Sequence, residues 1–421
     1  MKLSRRLFLA GLSAASCGLP SEEGPASPDF PLGVASGDAD ADGALVWTRY
    51  DGRDAVQLEW WKRDDPTTLR TQPLTPRDGG FCITALEGLE PGTWWSFAFS
   101  TSSARSDEGH FRTALADDAL EPLRFGASSC SRQNYPLTPF LRAASEVQCD
   151  AFLMLGDTVY ADGADDLPSY REKWNEALAR RPNRLLRAST SLVSTWDDHE
   201  IINDASGDRL DPARVAAARQ ATFEHQPWRA DGQMPQRLWR SLRWGRTAEL
   251  FVLDCRSERN HATGEYLSRA QLDWLKAGLA NSPATFKLIL NSVPITAYPG
   301  AFFQAFAADR WEGFPAQRTE ILDFIDSTPI DGVLWLTGDF HMGVAGRTAR
   351  DGVGARQLEI AVGPAGNFPN PSLSYPAGPQ FDFATALNNF TTLELDPASR
   401  TVRVQFFDGG SRTLFDRTYP L

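Results

Sequence analysis

Cysteine is scarce in this chain, with five residues among 421. Beyond Cys17 they are Cys82, Cys130, Cys149 and Cys255, too widely scattered to staple a small domain, so a disulfide scaffold is excluded. Positive charge is also in deficit: 42 Lys and Arg stand against 54 Asp and Glu, a formal charge of -12. A nucleic-acid-binding surface, which draws its affinity from cations facing phosphates, is therefore not expected, although a local basic pocket for a small anion is compatible with the balance. Past the amino terminus no apolar run reaches the length of a membrane span, and there is no internal repeat or low-complexity tract. What is present, 42% hydrophobic and 23% charged residues, is the make-up of a globular protein large enough for more than one domain.

The first residues, MKLSRRLFLAGLSAASCG, have a basic start, an apolar stretch from Leu7 to Ala15 and small residues before Cys17. That is the layout of an export signal. Ser4, Arg5, Arg6, Leu7, Phe8 and Leu9 resemble the twin-arginine pattern, which is read by the twin-arginine translocation machinery and exports folded proteins. Residues 1–20 are thus expected to be a leader, and the protein extracytoplasmic, in the periplasm or at the cell surface. An ordinary secretory signal is the competing reading. Cys17, closing a small-residue run ahead of a Gly, Ser, Glu and Pro tether, resembles a lipoprotein cleavage site, and a lipid anchor through it stays open.

Residues 21–29 read as a polar linker containing Pro25 and Pro28. From 30 to 115 the apolar pattern has the short period of strands, in LGVASGD, GALVWTRYD, AVQLEWWKR, GFCITAL, GTWWSFAFST and GHFRTAL, which predicts a small all-β sandwich. Its segment LEGLEPGTWW resembles the corner of fibronectin type III domains, with Trp95 in the place of the usual Tyr. After an acidic connector the pattern turns to alternating strands and helices from 122 to 421. An α/β domain on a mixed sheet, or on two stacked sheets with helices outside, follows.

Within that second part several apolar runs end on reactive side chains. LRFGASSC closes on Cys130, AFLMLGD on Asp157, SLVSTWDDHE on Asp197, Asp198 and His199, and GVLWLTGDFH on Asp339 and His341. Tyr160 follows Asp157 by three residues. Open α/β sheets place their chemistry at the carboxyl ends of their strands, so thiol, carboxylate, phenol and imidazole groups are expected along one edge, as a metal site. Taken singly, Cys130 reads as a buried thiol, Asp157 as a turn residue and His199 as a hydrogen-bonded histidine; the convergence of strand ends sets them apart. His110, His225 and His261 lack such a setting and read as structural or surface residues, His225 through the dipole at a helix end. Asn203 and Asp204 read most simply as a turn pair.

ASSC, LGDTVY, WDDHE and GDFH, in that order, resemble the alkaline phosphatase D (PhoD-like) family of the metallophosphoesterase superfamily. The resemblance implies a metallophosphoesterase-like sandwich of two mixed sheets flanked by helices, preceded by the small β-sandwich. It makes Asp157 the carboxylate shared by two metals, with Cys130, Tyr160 and His341 completing one site and Asp198 and Asp339 holding the other. Ser-Ser-Cys and Gly-Asp-Phe-His replace the superfamily's more usual Asp-x-His and Gly-His-x-His. Thiolate and phenolate suit ferric iron (Fe3+) and hard oxygen donors suit calcium (Ca2+), which agrees with the family's metals. His199 is then the catalytic imidazole facing phosphate, Arg132 a clamp for a phosphate oxygen or a solvated side chain, Asn291 an amide ligand or a cap of the loop that follows it, and Asp197 and Glu200 supports of the loop. The implied reaction is hydrolysis of a small or polymeric phosphate monoester or diester; a phospholipase D-type activity on large diesters and a non-catalytic, surface-anchored binding role are the alternatives. Substrate choice is expected to lie in the loops 161–168, 201–210 and 298–313, the last an aromatic insertion readable as a wall or as packing.

Overall fold

The computed structural model describes residues 26–230, 234, 237–368 and 378–421. The expected leader, Cys17 and the first part of the linker lie outside the described residues. Three sheets form. At the centre of a nine-stranded sheet, Leu123–Ser128, Ala151–Leu155 and Ser191–Thr195 run parallel. The antiparallel strands Asn389–Asp396, Thr401–Asp408 and Thr413–Pro420 extend it on one side. In a seven-stranded sheet, Ala248–Val252, Phe286–Leu290, Val333–Thr337 and Leu358–Ala361 are parallel, with antiparallel strands at both edges.

Strand residues divide by parity. Ala151, Leu153 and Leu155 pack between the two large sheets with Leu250, Leu288, Leu334 and Ile360. Phe152 and Met154 face the other way, onto Phe140 and Ala143 of the helix Thr138–Glu146 and Leu186 of the helix Arg181–Ser189. In the second sheet Ile289 and Trp335 turn outward to the helices Arg269–Asn281 and Pro315–Ser327. With both faces covered, the strands need no polar alternation, which is why they stand out as unbroken apolar runs. The architecture is the expected sandwich of mixed sheets flanked by helices.

The amino-terminal β-sandwich also forms, with a four-stranded sheet in the order Asp65–Leu74, Val56–Lys62, Trp94–Ser100, Gly109–Arg112. Its other sheet is not self-contained. Ser36 and Gly37 pair in parallel with Ser191 and Leu192, so Val34–Gly37, Ala44–Arg49 and Phe81–Leu86 continue the nine-stranded sheet. The boundary after residue 115 divides the sequence but not the hydrogen-bond ladder. Trp95 is buried and its indole N–H has no hydrogen-bond partner among the described residues.

His225 is structural, as expected, but for a reason other than the helix dipole. It is buried, its Nδ1 lies 2.7 Å from the Ala221 carbonyl, and its ring stacks on Trp174 and meets Phe81 edge-on. Burial depresses its pKa to about 3, so it is a neutral core residue rather than a cation at a helix end. Between this value and the ordinary 6.5 the unfolded chain binds a proton that the folded chain refuses, so stability falls as pH drops through that window. His225→Gln is expected to flatten the acid limb of unfolding free energy between pH 6 and 4 by up to about 1.4 kcal/mol per pH unit. Equal slopes in urea titrations of the two proteins would remove this account.

Candidate metal centre

The parallel strands of the first sheet and Val333–Thr337 of the second end beside one another. Past those ends the backbone of Cys130, Asp157, Asp339 and His341 has φ of 54°, 55°, 65° and 51°. Non-glycine residues enter this left-handed region at an energetic cost, and four at one locus mark a place where delivering side chains outweighs strain. Gly156, at φ 85°, permits the close approach of neighbouring strand ends: a Cβ there would lie 2.5 Å from the Cβ of Asp197.

Among the described residues three groups of donor atoms result, each within 4.8 Å: Cys130, Asp157 and His341; Asp157, Asp198 and His199; Asp197, Asp198 and Asp339. Asp157 belongs to the first two and Asp198 to the last two. The Tyr160 hydroxyl joins them, 3.2 Å from Asp157 Oδ2 and 3.4 Å from His341 Nε2. Asp157 Oδ1 is buried with no hydrogen-bond partner among the described residues, an unmet acceptor in the middle of the cluster. Burial, reinforced by neighbouring carboxylates, pushes Asp157 and Asp339 well above the usual carboxylate range. Burial and the Asp157 charge likewise raise the Cys130 thiol and the Tyr160 phenol. Such a pocket carries more negative charge than its surroundings neutralise, and cations placed in it reverse the direction of these shifts.

His199 lies on a ring face of Tyr160, centroids 4.0 Å apart, with Nδ1 held 2.7 Å from Asp162 Oδ1. Burial opposes its charge, but Asp157, Asp162 and Asp198 outweigh burial and raise its pKa to about 10. Glu200 is a backbone clamp: its carboxylate accepts the N–H of Asp157 (3.0 Å), Thr158 (2.5 Å) and Asp197 (2.8 Å), tying two strand ends together. Asp197 is held by Arg256 Nε at 2.5 Å and Nη2 at 3.0 Å, and by the Ser292 hydroxyl at 2.8 Å. Asp204 N–H caps Asp198 Oδ2 at 2.6 Å and Asn203 N–H bonds Asp162 Oδ1 at 2.8 Å, so the turn pair positions side chains of the site.

Asn291 does not join the cluster. Its Oδ1 accepts from the Cys255 thiol (3.0 Å) and the Trp311 indole (3.1 Å), and its Nδ2 donates to the Val293 carbonyl (2.6 Å). Fully buried, the amide is spent on core partners, which corrects its expected place among the ligands. Arg132 does sit at the cluster, its guanidinium carbon 5.1 Å from the Tyr160 ring and 5.9 Å from the Phe368 ring. Of the aromatic insertion, Tyr298, Phe303 and Trp311 are buried as packing.

Two residues had no reading from sequence. Arg256 is fully buried, grips Asp309 with Nη1 at 3.0 and 2.8 Å, and brings Nη2 to 3.7 Å from Asp198 and 3.6 Å from Asp339. The apolar run TAELFVLD leading to it resembled the other strand ends, but an arginine reads by default as solvated. Asn367, buried, directs Nδ2 to the Tyr160 hydroxyl and lies 2.9 Å from His341 Nε2. It stands on an irregular loop with no periodic signal.

A two-sheet α/β sandwich carrying a shared carboxylate between clustered donors at its strand ends has the arrangement of a metal-binding protein. Residues 125–395 match the family model described as PhoD-like phosphatase, and residues 14–115 match that of the PhoD-like phosphatase N-terminal domain. The chain belongs to the PhoD-like phosphatase family. It is 26% identical over 375 residues to "Alkaline phosphatase D" of Bacillus subtilis (strain 168), a match spanning 74% of this chain and 64% of that protein's length. Among solved structures it is similar to that of PhoD, with TM-score 0.79 and 21% identity over 94% of this chain and 90% of the other. It is also similar to the purple acid phosphatase PPD1 of yellow lupin (Lupinus luteus), with TM-score 0.70 and 14% identity over 94% and 74%. Both likenesses concern the fold.

Proposed function

We propose that this chain is an exported dinuclear metallohydrolase of phosphate monoesters and diesters. The observation that carries the reading is Asp157, whose carboxylate belongs to two donor groups at once and keeps one oxygen without a partner. The donors fit a metal pair: Cys130, Asp157, Tyr160 and His341 for Fe3+, and Asp157, Asp198 and Asp339 for Ca2+, by the preference of a ferric ion for thiolate and phenolate and of calcium for carboxylate oxygen. Bound there, such a pair supplies Lewis acidity and an activated water for in-line displacement at phosphorus.

The chain's own residues do the remaining work. Asp162 accepts from His199 Nδ1, which fixes the ring and leaves Nε2 to hold a proton for the departing ester oxygen. Arg132 neutralises a non-bridging phosphate oxygen. Glu200 holds the backbone from which Asp157 and Asp198 project. Export by the twin-arginine route, and a lipid anchor at Cys17, rest on the residue pattern at the amino terminus.

Elemental analysis of purified protein is expected to find iron and calcium at stoichiometric level, together with release of p-nitrophenol from aryl phosphates. Absence of both metals and of turnover would favour a binding role. A charge-transfer colour from phenolate or thiolate on ferric iron is expected to fade in Tyr160→Phe and in Cys130→Ser. A colourless, fully active protein would remove iron while leaving the two-metal reading in place.

A further inference from the structure

Arg132 is unusual among the arginines around the centre. Arg256 and Arg259 are committed to carboxylates, whereas Arg132 forms no ion pair and no side-chain hydrogen bond among the described residues. It is held by rings instead, over Tyr160 at 5.1 Å and Phe368 at 5.9 Å. Stacking on ring faces leaves the in-plane N–H donors of a guanidinium unspent. Phe368 is 58% exposed, and its ring meets Tyr135 at 4.6 Å and 65°. It follows Asn367, whose side chain touches Tyr160 and His341, so the apolar surface stands directly on the rim of the metal centre.

His199 occupies one face of Tyr160 at 4.0 Å. Arg132 lies over the same ring at 5.1 Å, so the two side chains flank one phenol of the site. On the reading above, the His199 side receives the leaving oxygen. We propose that Arg132, Tyr135 and Phe368 form a subsite for the substituent retained on phosphorus, which makes this chain select phosphodiesters whose second ester group is aryl or similarly apolar. In the reaction, water oxygen bonds to phosphorus and releases a proton, the bond to the leaving oxygen breaks, that oxygen takes the proton held on His199 Nε2, the released proton restores it, and the monoester that keeps the apolar group is the product. A single guanidinium without an ion pair among the described residues suits the one negative charge of a diester, and the exposed edge-to-face ring pair suits a planar or apolar substituent.

The inference rests on the hydrolase reading, and three esters with a common leaving group separate the two: p-nitrophenyl phosphate, methyl p-nitrophenyl phosphate and phenyl p-nitrophenyl phosphate. Metal-loaded full-length protein is expected to favour the phenyl over the methyl diester in kcat/KM by about tenfold, in line with one well-formed ring contact and its buried area. Phe368→Ala is expected to bring that ratio towards one, and Phe368→Tyr to keep it; the exposure of Phe368 makes both substitutions safe for folding. A ratio near one in the parent, or one unmoved by Phe368→Ala, overturns the subsite while leaving hydrolysis intact. No p-nitrophenol from any of the three esters overturns the hydrolase reading and the subsite with it.

Discussion

Asp157→Ala is expected to remove both metals and to lower turnover by about 10^3-fold or more, since several kcal/mol of charge stabilisation depend on the metals and each 1.4 kcal/mol is tenfold. Among the described residues no other side chain belongs both to the group with Cys130 and His341 and to the group with Asp198 and His199, so its loss opens both sites at once. The fold is expected to survive. Burial holds the Asp157 carboxyl well above its ordinary range, so in the metal-free protein it is a cost rather than a support. The Glu200 clamp uses the Asp157 backbone N–H, which Ala retains. Against this stands a penalty of about 1–2 kcal/mol for alanine at the left-handed φ of 55°. Circular dichroism, metal content and hydrolysis measured on the same preparation decide the matter: a folded variant with full activity would sink the shared-carboxylate assignment.

The second large effect is on stability. Arg256→Met leaves Asp197, fully buried, and the partly buried Asp309 without the guanidinium that binds them at 2.5 to 3.0 Å. Breaking a buried pair from one side is expected to cost about 3–5 kcal/mol, because the remaining carboxylate keeps its desolvation penalty without its partner. Arg259, 2.8 Å from Asp309, shields only that end of the network. Adding Asp197→Asn to Arg256→Met removes the stranded charge and is expected to recover part of the loss, a coupling readable from a double-mutant cycle in urea unfolding of metal-free protein. A single-variant loss below about 1 kcal/mol would mean that water reaches the network and screens it.

Much of the centre was legible in the chain because its signal is local. A strand covered on both faces must be apolar throughout, so Ala151–Leu155 and Val333–Thr337 stand out, and the first polar residue beyond each marks where the chain emerges. Cys130, Asp157, Asp198, Asp339 and His341 were found in that way and meet in space. The helix Arg181–Ser189 and the exposed strand Asp65–Leu74 escaped for the opposite reason. One is rich in arginines that tertiary contacts bury, Arg187 lying over Trp47 and donating to the His225 carbonyl; the other has no apolar face to announce it. Asn291 shows the limit of the same rule. It ends an apolar run as the ligands do, yet whether such a residue faces the site or the core depends on what waits there, and Cys255, Trp311 and Val293 supply partners for both ends of its amide.

By itself the sequence determined which strands are buried, which reactive side chains leave their ends, and the family those motifs belong to, since each depends on residue type and short-range order. Only the tertiary structure decided that the amino-terminal strands continue the central sheet, that Arg256 lies buried behind the metal donors, and that Asn367 and Phe368 border the site. These are contacts between segments far apart in the chain, made by residues whose type alone favours solvent or a loop, and no local pattern records which distant partner pays for their burial.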